Sequence, residues 1–114
     1  MKVMCDTNIL IHAFNDNEKV VTELEKIGFD NIVLSSITVM ELYQGMGNKN
    51  ELQWMKSKLK YYDVIEFDER VSKLAKELIE KFSLSHGLQI PDAIIAATAV
   101  TYDIEVHTYN TKDF

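Results

Sequence analysis

The stretch Ile90-Pro91-Asp92-Ala93-Ile94-Ile95-Ala96-Ala97-Thr98-Ala99-Val100 decides the fold. Proline suits the first turn of a helix, where its missing N–H costs no hydrogen bond, so Pro91 marks a helix start. From there to Val100 only Asp92 and Thr98 are polar. A helix with so little polar surface to show to water belongs at the centre of a domain. The chain has 114 residues, enough for one core and too few for two, so residues 1–114 read as a single domain.

Working outward, strands and helices alternate. Lys2–Asp6 reads as a short buried strand, and Thr7 or Asn8 as the cap of a helix over Ile9–Phe14. Val20, Val21, Leu24 and Ile27 recur at helical spacing within Glu18–Ile27, which Gly28 ends. Asn31–Ser35 is a second strand, followed by a helix that Ser36 or Thr38 caps and Gly45 stops. A helix over Lys49–Tyr61 and a strand over Asp63–Phe67 come next. Asp68 caps a long helix whose expected buried stripe is Val71, Leu74, Ala75, Leu78, Ile79 and Phe82. The Pro91 helix follows, then a strand over Glu105–Thr108. This alternation predicts an α/β domain, with a parallel sheet covered by helices on both faces. Right-handed crossovers put every strand's carboxyl end on one edge, where ligands bind.

Composition excludes several classes. Hydrophobic residues make up 46% and charged residues 26%, an ordinary globular balance. No apolar run is long enough to span a bilayer, and the first residues lack the pattern of a signal peptide, so no membrane association is expected. A single cysteine, Cys5, cannot form an internal disulfide, and it lies in an apolar segment where an inert thiol is the default. These features suit a reducing, cytoplasmic setting. The net charge of −6 argues against bulk electrostatic binding of nucleic acid, but not against holding phosphate through a metal.

Three carboxylates map to the ligand-binding edge. Asp6 ends the first strand, Glu41 lies one turn inside the helix after the second, and Asp92 opens the central helix. Taken singly, Asp6 can be a helix cap, Asp92 a favourable charge at a positive helix end, and Glu41 an exposed helical residue. Taken together, three like charges gathered at one edge repel unless a cation neutralises them. Oxygen ligands without a Cys/His set select Mg²⁺ or Mn²⁺ over Zn²⁺. Phosphate-cradling and dinucleotide-binding glycine loops are both missing from the sequence. His12, His86 and His107 show no ligand spacing, and His12 reads as a helix-face residue.

Four motifs, in order, carry a resemblance. They are Asp6-Thr7-Asn8-Ile9-Leu10, Thr38-Val39-Met40-Glu41-Leu42, Pro91-Asp92-Ala93-Ile94-Ile95-Ala96-Ala97-Thr98-Ala99 and Thr108-Tyr109-Asn110-Thr111-Lys112-Asp113-Phe114. Across essentially the whole chain they resemble the PIN-domain ribonucleases, and the small size looks most like the VapC-type toxins of type II toxin–antitoxin pairs. The resemblance implies a three-layer α/β/α sandwich with a short, four- to five-stranded parallel sheet. It implies Mg²⁺- or Mn²⁺-dependent cleavage of RNA, a homodimer and inhibition by a VapB-type antitoxin. By position, Asp6 and Asp92 would be the principal metal ligands and Glu41 a direct or water-mediated one. The family's fourth acidic position holds Asn110 here; Asp113, three residues on, is the acid that would serve instead. Thr7, Asn8 and Thr108 would support the acids or the phosphate through hydrogen bonds, or serve as caps and turns.

Two surfaces are also legible. Lys49, Lys56, Lys58 and Lys60 share one helix with Glu51 and are expected to form a solvated face; the alternative is that, beside the pocket, they guide an RNA backbone. Met40, Tyr43, Met46, Trp54 and Met55 form a Met- and aromatic-rich region. Met40 and Met55 are expected in the core, and Tyr43 and Trp54 at an antitoxin or subunit contact. The competing functional readings are a PIN-like scaffold that binds RNA or protein without cutting, and a nucleotide-binding regulatory domain.

Overall fold

The computed structural model describes residues 1–108, so Asn110 and Asp113 lie outside the described residues. Four strands, β1 (Val3–Cys5), β2 (Ile32–Ser35), β3 (Asp63–Ile65) and β4 (Glu105–His107), form one sheet in the order β3-β2-β1-β4. Every pairing is parallel, with Val3 opposite both Ile32 and Glu105. The sequence therefore predicts the sheet type correctly, and the strand count among the described residues falls at the lower of the two expected values.

Strand alternation creates the layers. Cys5, Ile32 and Leu34 face one side, where they pack with Ile9, Leu10, Val20, Leu24, Leu42, Met55 and Leu59. Those residues come from α1 (Thr7–Phe14), α2 (Glu18–Ile27), α3 (Ser36–Gln44) and α4 (Lys49–Leu59). Met4 and Val33 face the other side and pack against Ile95 of α6 (Ile90–Thr101). Behind α6 lies α5 (Glu69–His86), joined to it through Val71, Ala75, Leu88, Ala93 and Ala97. The result is the expected α/β/α sandwich.

Several boundaries move for local reasons. The cap of α1 is Asp6, not Thr7 or Asn8: its Oδ1 accepts from the Ile9 amide at 3.0 Å. The cap of α3 is Ser35, whose hydroxyl accepts from the Ile37 amide. A short 3-10 turn over Phe29–Asn31 precedes β2, and the Asn31 side chain ties back to the Ile27 carbonyl. Asp68 caps α5 as expected, and Gly87, at φ +67°, ends it in the left-handed conformation that glycine adopts without strain.

Phe82 leaves the expected buried stripe of α5 and is 39% exposed. The central helix is buried along Ala93, Ile95, Ala97, Thr98 and Ala99 but exposes Ile90 and Val100 at its two ends. Met40, expected in the core, is also exposed, because Leu42 and Thr38 occupy the inner side of α3; Met55 is buried as expected.

Candidate functional site at the carboxyl edge of the sheet

Among the described residues, Asp6 is the only fully buried carboxylate, at 5% exposure, and both of its oxygens are engaged. Oδ1 caps α1, and Oδ2 accepts from the Thr108 hydroxyl. Register explains the second contact: Cys5 lies opposite His107 in the β1–β4 pair, so the next residues, Asp6 and Thr108, emerge side by side. The Asp6 amide in turn donates to the His107 carbonyl at 3.3 Å. The same counting in the β1–β2 pair, where Met4 faces Val33, sets Asp6 beside Ser35. Beneath it, the Cys5 thiol is pushed up to about 12 by burial and secondarily by the Asp6 charge. It is a core group and no nucleophile.

Glu41 reaches the same edge by a different route. It is half-buried in the middle of α3, and its Oε1 accepts a 2.6 Å hydrogen bond from the Thr7 hydroxyl. Thr7 directly follows Asp6, so the two acids are coupled through adjacent residues of one segment. Asn8, also a candidate supporting residue, is exposed on α1. Asp92 is half-buried in the first turn of α6. That helix runs antiparallel to the strands, since its far end feeds through Ile104, whose amide donates to the Ala99 carbonyl, into the amino end of β4. Its first turn therefore lies at the carboxyl edge with Asp6.

The amino ends of α1, α3 and α6 all open at this edge. Their partial positive charges offset part of the acids' mutual repulsion. Among the described residues, no three carboxylate, imidazole or thiol groups are gathered tightly enough to hold a metal ion. The arrangement is an edge lined with acids, with Asp6 and Glu41 braced by Thr108 and Thr7. All the candidate donors are hard carboxylate oxygens, and the buried Asp6 is held at a fixed angle, which suits Mg²⁺ or Mn²⁺. The sequence did not single out Ser35 or His107. His107 also pairs with Glu23 of α2 at 3.2 Å; only the register, which the sequence does not state, brings either residue to Asp6.

Lys58 and Lys60 do not flank this edge. The turn after α4 carries Tyr62, whose ring lies 4.7 Å from that of Phe29, and Phe29 leads into the amino end of β2. The end of α4 with Lys58 and Lys60 thus sits at the opposite, amino edge of the sheet. Trp54 is partly exposed and packs edge-on against Phe14 at 6.2 Å, while Tyr43 is half-buried.

Comparison with known proteins agrees with this fold. The PIN domain family matches residues 3–114. This chain belongs to the PIN-domain family. It is 31% identical to Toxin FitB of Neisseria gonorrhoeae over 98% of this chain and 90% of that one. It is 31% identical to Ribonuclease VapC3 of Methanocaldococcus jannaschii over 85% of this chain and 97% of that one. Among solved structures, a toxin–antitoxin complex from Klebsiella pneumoniae superposes with a TM-score of 0.84 at 31% identity, covering 99% of this chain and 90% of its counterpart. For this PIN domain, no helix among the described residues is long and apolar enough to cross a membrane.

Proposed function

We propose that this PIN domain is a Mg²⁺- or Mn²⁺-dependent endoribonuclease acting as the toxin of a toxin–antitoxin pair. The carrying observation is the braced pair of acids: buried Asp6, fixed by Thr108 and the Ile9 amide, and Glu41, fixed by Thr7. Side chains held by such partners keep their geometry when charge accumulates beside them. Asp6 and Asp92 would be the main metal ligands, Glu41 a third, and Asp113 a fourth. A bound divalent cation would supply Lewis acidity to the phosphodiester and to the attacking water.

The chain's own groups do the rest. Asp6 and Asp92 present carboxylate oxygens at one edge, Thr7 and Thr108 brace Glu41 and Asp6, and the three helix amino ends favour the incoming phosphate. Glu41, the acid most open to a water-mediated role, orients or deprotonates the nucleophile. The names of its relatives support the wider assignment: a ribonuclease and a toxin at 31% identity, and a toxin–antitoxin complex in the fold comparison. The protein partner would then be a VapB-type antitoxin, and a homodimer acting in the cytoplasm fits the same reading.

The test is incubation of purified chain with total RNA in Mn²⁺, with EDTA as control. Cleavage that EDTA stops and that Asp6→Asn or Asp92→Asn abolishes supports the assignment; wild-type cleavage by either variant removes it. A second reading, a PIN fold that binds without cutting, draws on Asn110, which stands where the family's fourth acid is expected. Folded, metal-replete chain that leaves total RNA intact would favour it.

A further inference from the structure

We propose that the outer face of α4 and the turn after it, with Trp54, Lys58 and Tyr61, binds single-stranded RNA at the edge of the molecule opposite the acids. The proposal rests on the ribonuclease reading and says where the body of the substrate runs. Trp54 and Lys58 lie one turn apart on α4, about 6 Å along its axis at ~1.5 Å per residue, and Tyr61 lies in the turn just beyond the helix end at Leu59. The helix is held in place from behind, because Met55 and Leu59 are buried in the core cluster of that layer. In front, Trp54 is 43% and Tyr61 67% exposed. Each ring carries its own cation: Lys58 Nζ is 5.8 Å from the Trp54 centroid and Lys60 Nζ is 5.0 Å from the Tyr61 centroid. A lysine over a ring can turn to a phosphate as a base takes its place on the π-face, whatever the base.

The charge of this face is opposite to that of the chain. Residues 49–60 hold four lysines and one acid, a net of +3, in a protein of net −6. That acid, Glu51, turns away to accept from the Gly47 amide at 2.9 Å and from Asn48 Nδ2 at 3.2 Å. Among the described residues, no salt bridge involves Lys56, Lys58 or Lys60. These charges are therefore available to phosphates. Charge favours RNA over an apolar protein segment, which would leave these lysines without a counter-charge, and the clefts that α5, α6 and β4 line lie elsewhere in the fold. The longest extent of the molecule is 37 Å, which about eleven stacked nucleotides span at ~3.4 Å each. One RNA strand can thus touch both edges.

The test is fluorescence anisotropy of a labelled uridine oligonucleotide of about twenty residues, titrated with full chain in EDTA so that nothing is cut. The Trp54→Ala/Tyr61→Ala chain is expected to bind at least about tenfold more weakly, with some loss of thermal stability from the Trp54–Phe14 contact, and the Tyr61→Ala chain to bind more weakly with thermal unfolding near wild type. Lys58→Ala is expected to flatten the slope of log affinity against log salt by about 0.7 for each phosphate it no longer neutralises. Wild-type affinity and slope in these variants would overturn the proposal. So would variants that bind RNA normally yet lose a co-expressed antitoxin, which would make α4 a protein surface. Cleavage of total RNA is scored separately: a chain that binds through α4 but does not cut overturns only the ribonuclease reading.

Discussion

The Thr7 hydroxyl donates to Glu41 Oε1 across 2.6 Å, joining α1 to α3 over 34 positions of sequence. Because Thr7 follows Asp6 directly, this one bond sets the spacing between two of the acids. Thr7→Val keeps the branched shape and removes only the donor. It is expected to lower metal affinity or cleavage by about 10- to 100-fold, the usual effect of losing a group that orients a ligand. The stability cost is expected to be about 1 kcal/mol. Thr7→Ser should restore activity. Metal titrations of the three proteins check this, and unchanged affinity in Thr7→Val would show that Glu41 needs no such brace.

Asp6 has two separable duties, cap and ligand. Asparagine caps a helix about as well as aspartate, so Asp6→Asn is expected to lose cleavage while its melting temperature stays within a few degrees of wild type. Asp6→Ala loses the cap as well, at a cost of about 1–2 kcal/mol. That corresponds to a drop of at least about 4 °C for a domain of this size. Circular dichroism melts of both variants decide it. Equal melting temperatures would mean that the Ile9 amide contact adds nothing to stability.

The duality of Asp6 shows where the sequence was legible and where it was not. The alternation of apolar strands and amphipathic helices specified the parallel sheet, because a strand buried on both faces leaves a recognisable apolar run. Asp68, Gly45 and Gly87 marked helix ends through chemistry that acts within a few residues. Asp6, Glu41 and Asp92 could be placed at one edge from connectivity alone. Their distances could not, since those depend on register: Thr108 meets Asp6 only because Cys5 lies opposite His107. The same limit applies to Lys58 and Lys60. Their helix was visible, but which edge its end would reach was decided by Tyr62 packing on Phe29. Met40 departs from the core expectation because apolar residues at helical spacing do not reveal which of them faces outward.

Cys5 is fully buried, and its thiol is pushed up to about 12, by burial first and the Asp6 charge second. Thiolate is therefore scarce at any ordinary pH, and reagents have no path to the sulfur. Iodoacetamide at pH 8 is expected to leave the native chain unmodified and to label it fully in denaturing urea. Mass spectrometry after timed quenching reads the result. Stoichiometric labelling of the native chain within minutes would show that β1 opens readily.

A clamp joins the start of α5 to the end of α6. The Tyr102 hydroxyl donates to Asp68 Oδ2, the Val71 amide donates to Oδ1 at 3.0 Å, and Arg70 lies 3.4 Å from Oδ2 and 5.3 Å from the Tyr102 ring centroid. These contacts, with the Tyr102 hydrogen bond foremost, lower the Asp68 carboxyl to about 2. A depressed folded value means that ionised Asp68 favours the native state above its unfolded pKa. The contribution is lost as pH falls from about 4 through about 2. Tyr102→Phe removes the largest cause, so Asp68 is expected to titrate closer to the ordinary aspartate range. The gap in melting temperature between wild type and variant should be widest above pH 5 and shrink toward pH 2. Carboxyl carbon chemical shifts followed through that range test the first statement, and melts at the two ends test the second. An Asp68 that still titrates near 2 in Tyr102→Phe would assign the shift to the Val71 amide and Arg70 instead.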